Sequence, residues 1–358
     1  MKTNTIVSEV TQNATTAKAE VIKLGLDVHR RQITVCVQED GATPKPPRQM
    51  SATALVAWVG GLVAQGSRVI SCYEAGPLGY HLHRELTAAG ATNYVVAPTV
   101  LPNGRRQKTD RLDARALLDR LDRYVRGNRH AFNPVRVPTP EQEQARAQGR
   151  LREQLLQDRK RAEARGRSLL LSQGLEASGA WWKPRRWALL AAGLPVWLRE
   201  MVGVWQQLAL ACDAQEQAVR QQLEAAAPRQ LPAGLGALTW VLLSREILQW
   251  SRFGNRRQVA SYTGLCPGIH KSDGRGREGS INRCGNPTVR HLLVETVWRL
   301  VRWQPQYPPL QRLRAAVSGR QRRKAAVAVA RRLAIDLWRL ATGQCRPEQL
   351  GLQGNLAW

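Results

Sequence analysis

The stretch that decides the fold is IKLGLDVHRRQITVCV, residues 22–37. Its first apolar residues, Ile22, Leu24 and Leu26, alternate with polar or small ones, which is the two-residue period of a strand with one buried face. A second run of this period occupies residues 33–37, after a turn of four residues. Two such runs joined by a short turn predict an antiparallel hairpin.

Strand and helix patterns alternate in the residues that follow. The sequence predicts helices over residues 52–63 and 110–124, strands over 68–73 and 93–96, and a helix between those strands that opens near Pro77. Paired strands followed by alternating strands and helices indicate an α/β domain whose sheet has mixed strand directions.

The rest of the chain has a helical composition. Residues 139–176 and 196–227 are rich in Gln, Glu, Arg, Ala and Leu and predict two long helices packed as a hairpin. A helix over 235–248, a glycine-rich basic loop over 264–285 and two more helices follow. The predicted organisation is a flexible N-terminus (1–20), an α/β domain (21–135), a long helical segment (136–229) and a mainly α C-terminal domain (230–358).

The charge balance indicates a polyanionic partner. The 358 residues include 54 Lys and Arg against 27 Asp and Glu, a net charge of +27. An excess of this size is typical of proteins that bind nucleic acid. Because residues 251–358 hold 20 basic and only five acidic side chains, we expect the strongest contact there.

Other sequence features bound the compartment. No apolar stretch reaches the ~18–20 residues that a membrane span needs. The first twenty residues lack the hydrophobic core of a signal peptide. The six cysteines form no CxxC pair. We therefore expect a reduced cytoplasmic protein with no membrane partner and no structural zinc site.

Four carboxylates occupy positions that suggest a metal site. Asp27 falls on the strand face opposite the buried leucines, Glu74 closes the third strand, and Asp110 and Asp113 are three residues apart on one helix face. Four such groups at one point would repel each other unless a cation lay between them. Mg²⁺ fits, because it binds a few carboxylates together with phosphate oxygens of a substrate. Two such ions about 3.5–4 Å apart can clamp a phosphodiester during in-line displacement.

Each acid also has a structural interpretation. Asp27 could be a solvated strand residue, and Glu74 could simply end its strand. Asp110 and Asp113 could be a helix N-cap and its N3 partner.

Basic residues accompany both the acids and the glycine-rich loop. Cations of this kind contact phosphate and give an affinity that is independent of sequence and falls with salt. The candidate nucleic-acid contacts are Arg105, Arg106, Lys108, Arg111, Lys271, Arg275, Arg277 and Arg283.

Several motifs in order resemble a single family. They are GLDVH (25–29), YEAGPLGY (73–80), VVAP (95–98), KTDRLDA (108–114), SYTGLCP (261–267), HKSDG (270–274) and GSINRCGN (279–286). In this order and spacing the chain resembles the DEDD transposases of the insertion sequence one-ten family, over about residues 21 to 303.

The resemblance implies a fold, a metal and partners. It implies an RNase H/RuvC-like domain whose carboxylates, here Asp27, Glu74, Asp110 and Asp113, bind Mg²⁺. It implies a C-terminal transposase domain with a nucleophilic serine, joined to the first by a helical coiled-coil segment. Such enzymes recombine donor and target DNA as homo-oligomers, here expected to be dimers or tetramers, guided by a structured bridge RNA. A nucleoid-associated bacterial protein is expected, and DNA invertases share this build.

The family motif assigns the nucleophile to Ser272, with Ser280 as the alternative. The family commonly has a Ser-Ser-Gly run, whereas this chain has Lys271-Ser272-Asp273-Gly274. A serine hydroxyl needs a base, and His270 or a hydroxide on Mg²⁺ could serve. The hypothesis is a composite site in which metal-bound carboxylates position the phosphate and Ser272 attacks it. A phosphoserine link would preserve the bond energy for rejoining.

Two other functions remain open from the sequence. A structure-specific, Mg²⁺-dependent DNA nuclease would use the carboxylates and water and would need no serine. A non-catalytic nucleic-acid-binding protein would keep the acids for structural reasons alone.

Overall fold

The computed structural model describes residues 19–98, 110–229, 231–272 and 275–353, without the side chains of 110, 111, 269–272 and 275–279. The chain forms two compact units that meet in sequence between Pro138 and Thr139. The predicted flexible N-terminus, residues 1–20, lies almost wholly outside the described residues.

A five-stranded sheet forms the centre of the first unit, in the order β3-β2-β1-β4-β5. Strand β1 is antiparallel to β2 and parallel to β4, and β4 is parallel to β5. The elements are β1 (Val21–Val28), β2 (Ile33–Glu39), β3 (Arg48–Met50), α1 (Ala52–Ala64), β4 (Arg68–Glu74), α2 (His81–Ala88), β5 (Thr92–Val96) and α3 (Asp110–Val125). The predicted hairpin and the mixed α/β sheet are confirmed. The edge strand β3 escapes prediction, because three residues are too few to show a period.

Helices cover both faces of this sheet. Leu24 and Leu26 of β1 pack in one cluster with Leu55 of α1 and Leu82 of α2. On the other face α3 supplies Leu118, which is fully buried. The apolar alternation seen in the sequence thus selects the α1/α2 face and leaves the opposite face of β1 to α3.

The second unit is mainly helical. Its elements are α4 (Pro140–Leu171), α5 (Pro184–Ala192), α6 (Val196–Ala225), α7 (Ala237–Ile247), α8 (Arg256–Thr263), β6 (Pro267–Ser272), β7 (Arg275–Ile281), α9 (Pro287–Trp303), α10 (Gln311–Arg314) and α11 (Gly319–Ala341), with 3-10 turns at Trp250–Arg252, Pro308–Leu310 and Pro347–Leu350. Within the described part of the chain, no helix combines the length and the hydropathy needed to cross a bilayer.

The two long helices α4 and α6 pack antiparallel, as predicted. Arg152 forms an ion pair of 2.7 Å with Glu216, and Arg159 lies 3.6 Å from Asp213. Residues later in α4 thus contact residues earlier in α6, so the two helices run in opposite directions. The segment that connects the two long helices contains a third helix, α5. The sequence does not predict α5, because the prolines and glycines of this segment are typical helix breakers. Pro184 is the first residue of α5, a position where proline is well tolerated.

Residues 264–285 differ from the prediction. The sequence predicts a loop there, but β6 and β7 pair as an antiparallel hairpin, with Ser272 opposite Arg275 at one end and Pro267 opposite Ile281 at the other. The run of alternating Gly and Arg carries no apolar period, so the sequence hides the strands. Pairing of backbone groups does not require apolar side chains.

Candidate active site

Two of the predicted acids lie at the carboxyl ends of neighbouring parallel strands. The register between β1 and β4 pairs Leu26 with Tyr73. The next residue along each strand is an acid, Asp27 in β1 and Glu74 in β4. Carboxyl ends of parallel strands share one edge of a sheet, so these two carboxylates are neighbours across the pair.

The two acids also lie on the sheet face that α3 covers. Gly25 pairs with Cys72, and each lies two residues before its acid, on the same face. The Cys72 thiol donates to the carbonyl of Leu117 in α3 at 3.5 Å. Asp27 and Glu74 therefore face the side from which α3 approaches.

Contacts along β1 show that α3 runs antiparallel to this strand. The ammonium group of Lys23 lies 2.6 Å from Oδ1 of Asp122, near the end of α3. Two residues further along the strand, Gly25 lies against Ala114 and Leu118, where a Cβ atom would meet Leu118 Cβ at 2.8 Å and collide with the Ala114 carbonyl oxygen. Residues later in β1 therefore lie beside residues earlier in α3.

The antiparallel course of α3 also indicates which of its residues lie beside the acids. Two strand residues advance about 6.6 Å, and the helix needs about 4.4 residues for that length. Starting from Leu118 beside Gly25, one step leads to the level of Asp113 beside Asp27. Asp110, the first residue of α3, lies about one turn further. The backbone thus brings Asp113 to the edge of the sheet that holds Asp27 and Glu74, and the side chain of Asp110 is outside the described residues.

Asp27 and Glu74 are partly exposed, and each has a nitrogen-bearing side chain beside it. His29 Nε2 lies 3.1 Å from Oδ2 of Asp27, whose side chain is 20% exposed. A guanidinium nitrogen of Arg120 lies 3.7 Å from Oε1 of Glu74, whose side chain is 36% exposed. Asp113 is half-buried. The carboxylates of Asp27 and Glu74 are thus partly accessible to solvent.

The donor set suits a hard divalent cation. Among the side chains that the structure describes, which do not include that of Asp110, no three His, Cys, Asp or Glu residues form a cluster that could hold a metal. The acids would offer carboxylate oxygens alone, the ligands preferred by Mg²⁺. Burial raises the pKa of the nearby Cys72 thiol to about 12, so the soft sulfur stays protonated.

The second unit places the two candidate serines at opposite ends of the hairpin. Ser272 ends β6 at the tip, opposite Arg275. Ser280 lies one residue before Ile281, which pairs with Pro267 at the root, and Ser280 is exposed. Four residues of strand, about 13 Å, separate the levels of the two serines. The two serines therefore occupy different positions along the ribbon.

Backbone hydrogen bonds join the two strands' flanking residues at the end of the hairpin away from the turn, which we call its root. The Asn282 amide donates to the Cys266 carbonyl at 2.8 Å, and the Asn286 amide donates to the Tyr262 carbonyl at 2.8 Å. Gly285 lies so close to Tyr262 that a Cβ atom would stand 2.6 Å from its carbonyl oxygen. The glycine in the GSINRCGN motif thus serves this close approach.

A buried acid that the sequence does not reveal anchors this root. The side chain of Glu246 in α7 is 7% exposed and accepts from Asn286 Nδ2 at 2.7 Å and from Arg146 of α4 at 3.0 Å. Its backbone carbonyl accepts from the Tyr262 hydroxyl at 2.7 Å. Asn286 also caps α9 through the Val289 amide. No local pattern could have found this network, since Arg146 and Glu246 are a hundred residues apart.

The predicted basic contacts are only partly described. Arg283 is exposed, beside the hairpin root. Of the others, Arg111 has its backbone in α3, and Lys271, Arg275 and Arg277 have theirs in the hairpin. The remaining predicted contacts, Arg105, Arg106 and Lys108, lie outside the described residues.

Comparison with known proteins shows the family to which the chain is similar. Residues 24–173 match the DEDD transposase family of IS110 elements, and residues 231–310 match the family described as Transposase IS116/IS110/IS902. A candidate transposase of Sinorhizobium fredii, y4rJ, is 33% identical over 297 residues, covering 74% of this chain and 75% of the relative. A second from that organism, y4qE, is 27% identical, covering 80% of this chain and 72% of the relative. The transposase for insertion sequence element IS1111A of Coxiella burnetii is 24% identical, covering 90% of each chain.

These matches define the protein as an enzyme of DNA transposition. Within that class, the chain belongs to the DEDD transposases of the IS110 family.

Proposed function

We propose that this transposase cuts and rejoins DNA with Asp27, Glu74, Asp110 and Asp113 as metal ligands and Ser272 as nucleophile. The support for the proposal is the register of β1 with β4 and the antiparallel course of α3. The backbone positions of Asp27, Glu74 and Asp113 fall at one edge and one face of the sheet, while their described side chains do not by themselves form a metal cluster. We assign the sheet domain to the RNase H/RuvC-like class on the same ground.

The acids would hold Mg²⁺ at this edge. When bound, the ion would neutralise charge that develops on the phosphate oxygens. The protein's own part is to keep the carboxylates in place, and the close approach of α3 at Gly25 does so through backbone contacts. Arg120, beside Glu74, adds a cation near the phosphate path.

Ser272 would supply the attacking oxygen. A bond forms between Ser272 Oγ and phosphorus, one P–O bond of the DNA backbone breaks, and the departing sugar oxygen takes a proton from solvent and becomes a hydroxyl. The serine proton passes to a base, for which His270 on the same strand is the candidate. One phosphodiester replaces another, so the sugar hydroxyl can attack the phosphoserine and restore the DNA without ATP.

The position of Ser272 supports its assignment over Ser280. A two-stranded ribbon fits into a groove of a nucleic-acid duplex, and a residue at its tip can reach a phosphate of the backbone that borders the groove. Ser280, at the root, is next to the backbone that joins the two legs. The anchoring by Glu246 and Asn286 gives the ribbon a rigid base, which favours a fixed position for the tip.

The nucleic-acid partners are donor and target DNA, and we propose a structured guide RNA and a homo-oligomer in addition. The net charge of +27 supports the nucleic-acid part of this proposal, and the homo-oligomer rests on the family resemblance alone. This charge exceeds what a protein needs for solubility, and a phosphate backbone would neutralise it.

The test uses a plasmid that carries the gene with its flanking DNA. The parent enzyme with Mg²⁺ should yield a covalent DNA–protein adduct that survives SDS, and Ser272→Ala should abolish the adduct while Ser280→Ala keeps it. Asp27→Asn should slow cleavage at least ~100-fold, the order expected when a group acting in the transition state is lost. Asp119→Asn is the matched control, because Asp119 is an exposed acid of the same helix α3.

Three results would contradict the proposal. Persistence of the adduct in Ser272→Ala would remove this serine from the mechanism. Cleavage by the parent enzyme without any adduct would indicate a nuclease that uses water. An equal loss of cleavage rate in Asp119→Asn would show that cleavage depends on the negative charge of α3 in general and not on a metal site.

A further inference from the structure

A cleft opens between the start of α8 and the second half of α11. Its volume is about 370 Å³, and its walls include Asn255, Arg256, Arg332, Ile335, Trp338 and Arg339. We call it the α8–α11 cleft. The volume is at the lower end of the ~300–1,000 Å³ of small-molecule sites, so the cleft has room for one small group. Its lining residues are distinct from the metal ligands, the nucleophile and the nucleic-acid contacts proposed above.

The α8–α11 cleft is cationic, because its arginines outnumber the acids around it. Three arginines line it, Arg256, Arg332 and Arg339. The two stretches that form its walls, residues 251–264 and 319–346, contain one acidic residue, Asp336. Three positive charges against one negative charge favour an anion as the ligand.

Asp336 holds one of these guanidinium groups in place from inside the protein. Its side chain is 1% exposed, and Oδ2 accepts from Nε of Arg332 at 2.9 Å and from the Tyr307 hydroxyl at 2.8 Å. Arg339 lies 3.8 Å from the other carboxylate oxygen. The Arg332 side chain is nevertheless half exposed, so a guanidinium group that is fixed at Nε remains accessible to a ligand. A donor group that is oriented in advance loses less entropy when it binds a phosphate.

Arg256 adds a cation that is not engaged elsewhere. It is the first residue of α8 and is exposed, and it forms no ion pair or hydrogen bond with a side chain that the structure describes. The backbone amides that follow it are already occupied, because the Asn255 side chain accepts from the amides of Arg257 and Gln258. The donors that the cleft offers to an anion are therefore guanidinium groups.

Apolar side chains form another part of the cleft wall. Ile335 is partly buried, and Trp338 is 7% exposed. The indole nitrogen of Trp338 is buried and has no hydrogen-bond acceptor within the described part of the chain. Buried donors without a partner are rare in native proteins. Apolar surface beside several cations suits a ligand that joins a flat ring with acceptor atoms to a phosphate, and a nucleotide has this composition.

The concave shape favours a nucleotide that is not paired. The bases of a duplex are stacked inside it, so a base enters a cleft only from a single strand or after it has left the stack. Cations also continue along α11 beyond the cleft, since Lys324 is exposed about 12 Å from Arg332 along the helix axis. A free nucleotide would leave such cations unused, whereas a strand would bring further phosphates to them.

We propose that the α8–α11 cleft captures one unpaired nucleotide of a nucleic-acid strand. The phosphate binds to Arg256, Arg332 and Arg339, and the base lies against Ile335 and Trp338. The proposal rests on the nucleic-acid part of the proposed function and requires neither the metal nor the serine.

The test measures binding of a fluorescent single strand of about 12 nucleotides to the full-length protein by anisotropy. A salt concentration of about 0.2 M screens the exposed charges. Arg256→Gln should weaken single-strand binding about tenfold, the effect of losing one charge-assisted contact, and should change duplex binding less than about twofold. Arg323→Gln is the matched control, because Arg323 is an exposed arginine of α11 on the side opposite to Arg332, and it should change single-strand binding less than about twofold. DNA and RNA strands are measured separately, and the expected pattern with either one supports the proposal.

An abasic strand tests the position of the base. It keeps the phosphates and should bind the parent about tenfold more weakly, the order of one base contact with an aromatic side chain. Ile335→Ala should weaken binding of the normal strand more than binding of the abasic strand, because only the normal strand has a base to place there.

Several results would overturn the proposal. Equal weakening by Arg256→Gln and Arg323→Gln would show that only the overall charge matters. An equal loss of duplex binding in Arg256→Gln would show that the nucleotide need not be unpaired. Displacement of the strand by micromolar AMP would identify a free nucleotide as the ligand. Since no measurement involves cleavage, a parent that shows the expected binding pattern but does not cut DNA would contradict the metal and serine chemistry alone.

Discussion

The contact between Gly25 and α3 predicts how one methyl group would disturb the acids. In Gly25→Ala the new Cβ would collide with the Ala114 carbonyl oxygen and stand 2.5 Å from the Leu118 amide nitrogen. Both are backbone atoms, so no change of rotamer relieves the contact. The helix itself must move away from β1.

The size of that movement follows from the distances. The new Cβ would lie 2.8 Å from Leu118 Cβ, against the 3.4–4 Å of ordinary contact. A displacement of α3 by about 1 Å restores ordinary contact, and overpacking of this kind costs about 1–3 kcal/mol of the free energy of unfolding. Asp110 and Asp113 lie on α3 and shift with it relative to Asp27. A misplacement of ~1 Å in a catalytic group can slow a reaction ~100-fold.

The assay compares Mg²⁺-dependent DNA cleavage with urea unfolding in two variants. Gly25→Ala should lose cleavage far beyond its loss of stability. Gly61→Ala is the control, because Gly61 is in α1 and a methyl group added there would have nothing within 4 Å, so the free energy of unfolding should stay unchanged or rise by about 0.5–1 kcal/mol. The reasoning is refuted if Gly25→Ala cleaves DNA at the parent rate.

Three further outcomes follow from other contacts. Glu246→Ala leaves Arg146 and Asn286 without their shared acceptor and should lower the free energy of unfolding by about 3–5 kcal/mol, with a smaller loss for Glu246→Gln, as measured by urea titration. Burial raises the pKa of Asp122, but the hydrogen bond and charge of Lys23 outweigh it and hold that pKa below its ordinary value. A carboxyl whose pKa is depressed in the folded state contributes stability above about pH 3.9. This stability is lost as the pH falls through the folded-state pKa. The urea midpoint of Asp122→Asn should therefore change less with pH in the acid range than the midpoint of the parent does. The logarithm of DNA affinity should fall linearly with the logarithm of salt concentration, and a slope near zero would contradict the role given to the net charge.

Strands β1, β2, β4 and β5 and most helices could be predicted from the sequence, because each carries its own period, whereas β3, β6 and β7 carry none. Asp27 and Glu74 could be placed at strand ends for the same reason. Their common face could not, since it depends on the register between β1 and β4. The Glu246 network was also beyond prediction, because its members come from elements far apart in sequence and each is an ordinary polar residue of its own helix.

The two apolar faces of α6 show a different limit of prediction. Heptad spacing over the long helices looks poor when all apolar residues are counted together. The structure separates them into a buried set, such as Val202, and an exposed set, such as Val204. When one helix has two apolar faces, the apolar residues of both faces mix in the sequence and no single helical period stands out. The two faces can be told apart only once the burial of each residue is known.

The motifs that resemble the family combine chemistry with packing. In GLDVH the acid is Asp27, but Gly25 is what lets α3 reach the strand. In GSINRCGN the close approach belongs to Gly285 and the capping to Asn286, while the proposed nucleophile lies eight residues before Ser280 at the far end of the ribbon. Glycines of this kind tolerate no side chain, because the atoms they face are backbone. Backbone contacts at Gly25 and Gly285 thus set how α3 meets β1 and how the two ends of the ribbon meet, so part of the resemblance consists of residues with a packing role.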